Sequence, residues 1–299
     1  HFGPQPSVPA DWCPSLVAMP RRQCRGTQQP SQKLLHNEMD DWYSRATQAL
    51  TQQAQTKSCG KSGKSPCTSR KSKQVAREVQ CRLAQLSTSS DKVGVSFAGA
   101  AFQEKYYATK FERRGKVLYE VMSDLSVTFP SDDVHVASFG GGPGTDASGL
   151  VWLQRDRHPN TKFSCTLYDL EPTWKRYLQL LGQLFDSAGQ VSLSFALCDV
   201  TQQLQHHSNY RVALEDVDLI LFFYVCHETS VAVSKTGLCF YKDIAGIAKS
   251  GAVVIIADVM EHSASAIDEV VSSMGSVRKL ELLPLKRDHK ACVRAFRLI

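Results

Sequence analysis

Between Val134 and Asp146 the chain reads VHVASFGGGPGTD: an alternating apolar run stops in four glycines and a proline, and helix-forming residues follow. A strand that ends in such a turn and enters a helix N-terminus is built to receive a nucleotide, because the helix's first N–H groups point at the ligand. The backbone must pass close to that ligand. Gly140, Gly142 and Gly144 carry no Cβ, so they permit both close approach and positive φ. The spacing is G-x-G-x-G, with Pro143 before the last glycine, and not the G-x-G-x-x-G of dinucleotide binders.

The elements that must hold this turn follow from periodicity. From Val134 onward, strands and helices alternate. The pattern predicts strands over Val134–Phe139, Phe163–Tyr168, Val191–Leu197, Val217–Val225 and Ala252–Ala257. Helices are expected over Thr145–Arg157, Trp174–Phe185, around Tyr241 to Ala248, and over Ala264–Met274. Such alternation predicts a parallel sheet with helices on both faces. Two last strands, Lys279–Pro284 and Ala291–Leu298, are separated by a short polar loop, so the final strand should be antiparallel. Upstream, Leu35, Met39, Trp42, Tyr43, Ala46 and Leu50 recur at helical spacing behind Ser31, a candidate cap. A second helix is expected with Val75, Val79, Leu83 and Leu86 on one face, and a third region over Phe97–Leu125, broken near Gly115. The expected organisation is a helical, basic and partly disordered extension over residues 1–90 and one α/β domain over 91–299.

Composition bounds the class. The chain has 299 residues, of which 42% are hydrophobic, enough for a sizeable core. Its longest largely apolar run, Val217 to Cys226, is too short to cross a bilayer and reads as a buried parallel strand. The chain opens on His1 rather than Met, which leaves room for a targeting segment before it. Of ten cysteines, Cys165, Cys198, Cys226 and Cys239 fall in or beside expected core elements. A domain of this size needs no staples, so an intracellular, reduced protein is expected, cytoplasmic or nuclear. Cys13, Cys24, Cys59, Cys67, Cys81 and His36 form no C-x-x-C pair, and no metal site is expected. The net charge of +6 is concentrated: eight basic residues and Glu78 alone among acids lie between Lys57 and Arg82. That stretch suits a polyanion such as RNA; the bland alternative is a solvated linker, consistent with Gly60, Ser62, Gly63 and Ser65.

With the closing hairpin, residues 134–299 resemble the class I S-adenosylmethionine-dependent methyltransferases. The resemblance implies a Rossmann-like, seven-stranded, mostly parallel sheet with an antiparallel C-terminal hairpin. It implies that Gly140, Gly141, Gly142 and Gly144 pack against the amino-acid part of the cofactor. Phe139 stands where the family often has an acidic residue, and Asp146 is a substitute for part of that role. An acid at the end of the second strand would accept hydrogen bonds from both ribose hydroxyls. Asp169 in LYDLEP is the candidate, with Glu171 the near alternative and Leu170 bordering the adenine. Asp169 could equally just cap the next helix. Asp199 in ALCDVT, with Val200 beside it, matches the residue that reaches the adenine amino group, or else makes an ordinary strand-end turn. The acceptor side would begin at Tyr224, Val225, Cys226, His227 and Glu228. Methyl transfer needs an acceptor in line and, for some acceptors, removal of a proton. His227 or Glu228 could serve as that base, or the two could form a capping pair. Tyr107 and Arg113 are candidates for a lid over the methionine end.

The methyl acceptor is expected to be a nucleophilic nitrogen or oxygen. SFGGGPG behind a basic helical extension is similar to some ribosomal-RNA base methyltransferases, and that similarity covers little beyond the first motif. FYVCHE is not the Asn/Asp-Pro-Pro-aromatic motif of adenine amino methyltransferases, and Cys226 has no adjacent proline as cytosine-C5 enzymes require. Alternatives are a small-molecule or protein acceptor, an NAD(P)-binding oxidoreductase, and a methyltransferase fold that only binds. The glycine spacing, Pro143 and the hairpin count against the oxidoreductase.

Overall fold

The structure, a computed structural model, describes residues 30–56, 97–206, 214–258, 263–286, 289 and 291–299. Helix α1 spans Pro30–Thr56. Helix α2 (Ala100–Tyr106) runs through a π turn (Tyr107–Phe111) into α3 (Glu112–Leu125) without leaving the helical region. The αβ alternation follows: β1 Asp133–Phe139, α4 Thr145–Arg157, β2 Lys162–Asp169, a 3-10 turn Pro172–Tyr177 leading into α5 Leu178–Asp186, and β3 Val191–Leu197. Then come β4 Leu219–Phe223, α6 Cys226–Lys235, α7 Cys239–Ile247, β5 Val253–Asp258, α8 Ala264–Gly275, β6 Leu280–Leu282 and β7 Cys292–Leu298.

The seven strands form one sheet in the order β3-β2-β1-β4-β5-β7-β6. β1 pairs in parallel with β2 and β4, and β7 runs antiparallel between β5 and β6. The expected mostly parallel sheet with an antiparallel final strand is therefore observed. The side chains show why β4 and β5 take the middle. All residues of LILFF and VVIIAD are buried, the signature of strands covered on both faces. Leu219, Leu221 and Phe223 enter one core, and Ile220 and Phe222 the other. The second core is closed by α7 and α8, through Phe240, Tyr241, Ile244, Ile267 and Met274.

The first core is thicker. Ten consecutive residues of α4, Thr145 to Gln154, are buried, so this helix is covered on all sides. The outer cover comes from α1 and α3. Trp42, Tyr43, Ala46 and Leu50 of α1 belong to the same core, Trp42 meets Trp152 edge-on at 5.9 Å, and the Tyr43 hydroxyl lies 3.1 Å from Ser148 Oγ. The N-terminal helix is thus part of the domain's packing. The boundary expected near residue 90 and the basic stretch from Lys57 to Arg82 lie outside the described residues.

Three local expectations need correction. No break occurs at Gly115. The glycine is there because α3 and α4 cross closely: a Cβ on Gly115 would collide with Tyr43 and Ser148, and one on Gly149 would lie 2.5 Å from the Gly115 carbonyl oxygen and 2.8 Å from Leu118 Cβ. The segment after β2 begins as a 3-10 turn, and α6 forms where no separate helix was expected, because its apolar residues make no clear stripe. Among the described residues no helix is long and apolar enough to cross a membrane.

Gly149→Ala puts its methyl against backbone. The ~1 kcal/mol gain in helix propensity is outweighed by overpacking of about 1–3 kcal/mol, for a net loss on the order of 1 kcal/mol. A lower thermal midpoint is expected in calorimetry; an unchanged or raised midpoint would contradict the crossing described.

Candidate active site

The parallel ladder delivers the ends of β1, β2, β3 and β4 to one edge of the sheet, which is where open α/β sheets bind ligands. The glycine turn continues β1. Gly140 N donates to Tyr168 O at 2.8 Å, extending the β1–β2 ladder, and Gly144 N donates to Gly141 O at 2.7 Å, closing the turn. Gly140 and Gly144 have φ of +71° and +72°, which an L side chain rarely adopts. Gly142 faces Asp169: its N–H donates to Asp169 Oδ2 at 3.0 Å, and a Cβ there would lie 2.5 Å from that same oxygen and collide with Trp174.

Asp169 also accepts from Glu171 N through Oδ1 at 2.9 Å. Each carboxylate oxygen so keeps a lone-pair direction for a ligand. Glu171 caps the 3-10 turn, accepting from Thr173 N at 3.0 Å. Burial pushes the Asp169 carboxyl up to about 7, against the opposing pull of the two backbone N–H groups. Asp199 accepts from Thr201 N at 2.9 Å and from the Thr201 hydroxyl at 2.6 Å, so the strand-end turn is real, and Asp199 also lines the cavity.

That cavity has a volume of about 300 Å³. It collects Gly140, Asp169, Leu170, Asp199, Val200, Tyr224 and Glu228 from the residues singled out in sequence. Gly141, Gly142 and Gly144 shape the turn without lining the cavity. Phe139 does not reach it: fully buried, its ring stacks between Tyr168 at 4.9 Å and Phe222 at 5.0 Å in the second core. Asp146 is likewise buried beneath the turn, accepting from the Ser138 hydroxyl at 2.7 Å. Tyr224 has a φ of +59°, a strained conformation for a bulky residue of the kind that gathers at functional sites.

The two candidate bases part company. Glu228 lines the cavity, whereas His227 is buried behind it. The His227 backbone N–H donates to Asp258 Oδ2 at 2.8 Å, its Nδ1 pairs with Asp258 Oδ1, and its Nε2 lies 4.0 Å from Glu228 Oε1. Asp258 was missed in the sequence. It joins the site only because β5 pairs with β4, setting Ala257 opposite Phe223.

The lid candidates shift by one residue each. Tyr107 packs into an aromatic cluster with Phe111, Trp174 and Tyr177, and Arg113 is exposed. Tyr106 and Arg114 line the cavity instead, with Phe97 and Trp174. An α-helix turns about 100° per residue, so eight residues would leave Tyr106 and Arg114 roughly 80° apart. The wider π turn between them takes up the excess and brings the Arg114 NH1 group to the Tyr106 hydroxyl.

No protein-family model matches the chain, and no curated protein matches it. Solved structures do. A SAM-dependent methyltransferase from Methanosarcina mazei aligns over 57% of this chain and 96% of its own, at 12% identity and a TM-score of 0.38. An rRNA methylase from Streptococcus thermophilus covers 63% of this chain and 95% of its own, at 14% identity and a TM-score of 0.33. A cyclase covers 71% and 72%, at 11% identity and a TM-score of 0.38. Likeness this distant says nothing of activity, and one fold can host many activities.

Buried Asp146 has its carboxyl raised from 3.8 to about 6, chiefly by desolvation, with the Ser138 and Thr145 hydrogen bonds opposing. A raised carboxyl contributes stability that is complete below about pH 4 and lost as pH climbs through 6. Asp146→Asn stays neutral, so its stability should gain on the wild type between pH 4.5 and 7.5 by on the order of 3 kcal/mol at most, read as a growing difference in thermal midpoint. A difference that does not change with pH would contradict this burial.

Proposed function

We propose that the protein is an S-adenosylmethionine-dependent methyltransferase acting on a nitrogen or oxygen acceptor, and that this acceptor is carried on RNA. The observation that supports the first part is the convergence of the Gly140–Gly144 turn, Asp169 and Asp199 on one cavity at the ends of β1, β2 and β3. The cofactor fits the residues present. Gly142, free of a Cβ that would run into Asp169 and Trp174, lets its N–H hold Asp169, and Asp169 keeps acceptor capacity on both oxygens for a ribose diol. In this reading Asp199 takes the adenine amino group between Val200 and Leu170, supported by the place of all three on the cavity wall.

Bound there, the cofactor would supply an activated methyl group on a sulfonium, with the sulfur as leaving group. The chain's own task is positioning, and removal of the acceptor's proton where it has one. In this reading Glu228 accepts that proton, supported by its place on the cavity wall. His227 acts behind it, fixed by Asp258 through both its backbone N–H and its Nδ1. Cys226 is no nucleophile: its thiol is buried, and burial raises it far above the range in which a thiolate forms. The G-x-G-x-G turn and the inserted antiparallel β7 argue against an NAD(P) oxidoreductase. RNA as the acceptor's carrier is supported by the charge of the Lys57–Arg82 stretch.

Calorimetric titration with S-adenosylhomocysteine should show micromolar binding, with none for NADH or NADPH. Gly142→Val should abolish that binding while the far-UV circular dichroism stays unchanged, because its side chain would take the place of Asp169 and Trp174 atoms. Binding of NADH alone, or full binding by the variant, would contradict the assignment. Deleting residues 57–73 should weaken binding to a structured RNA probe and flatten its salt dependence; equal affinity at low salt would remove the RNA proposal.

A further inference from the structure

The run Lys105–Lys116 carries five basic residues and one acid, Glu112. The cations differ in what they touch. Arg114 turns inward and lines the cavity, and Lys116 pairs with Asp40 at 2.6 Å and with Glu112 at 2.5 Å. Lys105 and Arg113 are exposed, and among the described residues no carboxylate lies within ion-pairing distance of either. Their placement follows from the π turn Tyr107–Phe111, which brings Arg114 to Tyr106, eight residues before it. Lys105 and Arg113 each stand one residue earlier, so the same turn aligns them too. One residue is about 100° of helix, which sets this pair beside the inward pair rather than opposite it. Lys105 and Arg113 therefore stand at the rim of the cavity, about 12 Å apart along the helix axis. The Arg113 charge is felt inside: burial pushes the Tyr224 hydroxyl up, and the charges of Arg114 and Arg113 pull it down.

The wall below this rim is acidic: Asp169, Glu171, Asp199 and Glu228 line it, with Arg114 as the one cation among its described lining residues. Such a wall repels phosphate. A substrate that carries phosphates can offer the cavity only an uncharged base, and its backbone must be held outside. The helix that bears Lys105 and Arg113 lies over the acceptor end, since the Arg114 guanidinium sits 4.1 Å from the Tyr224 ring centroid. Resting on the RNA methyltransferase reading, we propose that the Lys105–Arg113 face of the α2–α3 helix binds phosphates of the RNA strand flanking the acceptor nucleotide, whose base turns into the cavity. A span of about 12 Å is the axial length of roughly three phosphates of one strand. A base that is to be modified must leave its stack, and Tyr106 and Tyr224 on the cavity wall give it aromatic surface in exchange. An acidic protein segment would meet the same two cations but brings no neutral planar group for that wall. This face is separate in sequence from the Lys57–Arg82 stretch, and its part is to aim the strand at the cavity.

Fluorescence anisotropy of the full chain with a labelled RNA stem-loop tests this, with calorimetric titration of S-adenosylhomocysteine alongside. The double variant Lys105→Gln, Arg113→Gln should bind the RNA roughly tenfold or more weakly at about 0.1 M salt. The slope of log affinity on log salt should become shallower by about 1.4, the share of two single-strand phosphate contacts. Its affinity for S-adenosylhomocysteine should equal that of the wild type. Full RNA affinity and slope in the variant would overturn the proposal and leave the Lys57–Arg82 reading standing. Joint loss of RNA and S-adenosylhomocysteine binding would also sink it, because the two cations would then belong to the cofactor site. Poly-L-glutamate that displaces the RNA from the wild type as well as unlabelled RNA does would assign the face to an acidic protein instead. A wild type that binds S-adenosylhomocysteine but no RNA would end the RNA reading and this proposal with it, and one that binds neither would end the methyltransferase reading as well.

Discussion

The hydrogen bond from Gly142 N to Asp169 Oδ2, 3.0 Å long, ties the end of β1 to the end of β2 and sets the shape of everything around it. It forms only because position 142 has no side chain, since a Cβ would stand where the carboxylate and Trp174 now are. It also depends on register. β1 and β2 pair so that Phe139 lies opposite Tyr168, and the turn and the acid therefore leave the sheet side by side. Asp169 is then held by two backbone donors and buried, which raises its carboxyl to about 7. Hydroxyl donors from a ligand would favour the charged form that burial disfavours, so a ribose would be matched to this group.

Around this tie the two faces of the sheet play different parts. The second core, built on Phe139, Phe222, Phe240 and Tyr241, is apolar support, and the side chain of Phe139 contributes to that support rather than to the ligand site. The first core carries an additional helical layer. Helices α1 and α3 cover α4 completely, with the α3–α4 crossing kept close by Gly115 and Gly149. That covering lets the α2–α3 helix present Tyr106 and Arg114 to the cavity from outside the sheet. The strained Tyr224 closes the arrangement from below, under the Arg114 guanidinium.

The sequence was most legible where structure is local. The glycine turn announces itself through residues that tolerate positive φ, and Asp169 and Asp199 through their places at the ends of apolar runs. The alternation of strands and helices was visible for the same reason, down to the reversed last strand. Features that arise from distant pairing were not. Asp258 stands 31 residues beyond His227 and meets it only across the β4–β5 ladder. Tyr106 and Arg114 were hidden by the π turn, because at constant α-helical pitch they stand roughly 80° apart and only the wider turn brings them together. Gly115 read as a helix break because a glycine required for close packing and a glycine that ends a helix look alike in one dimension. Phe139 was drawn into the site by its position next to the glycines, though strand alternation sends its side chain the other way.

A crystal structure of the protein with S-adenosylhomocysteine would test the central claim most directly. The account requires both ribose hydroxyls within hydrogen-bond distance of the Asp169 carboxylate, the adenine beside Asp199 and Val200, and the tail passing over Gly140 toward Tyr224. A ligand that lies elsewhere on the molecule, or that fills this cavity with Asp169 facing no hydroxyl, would contradict it.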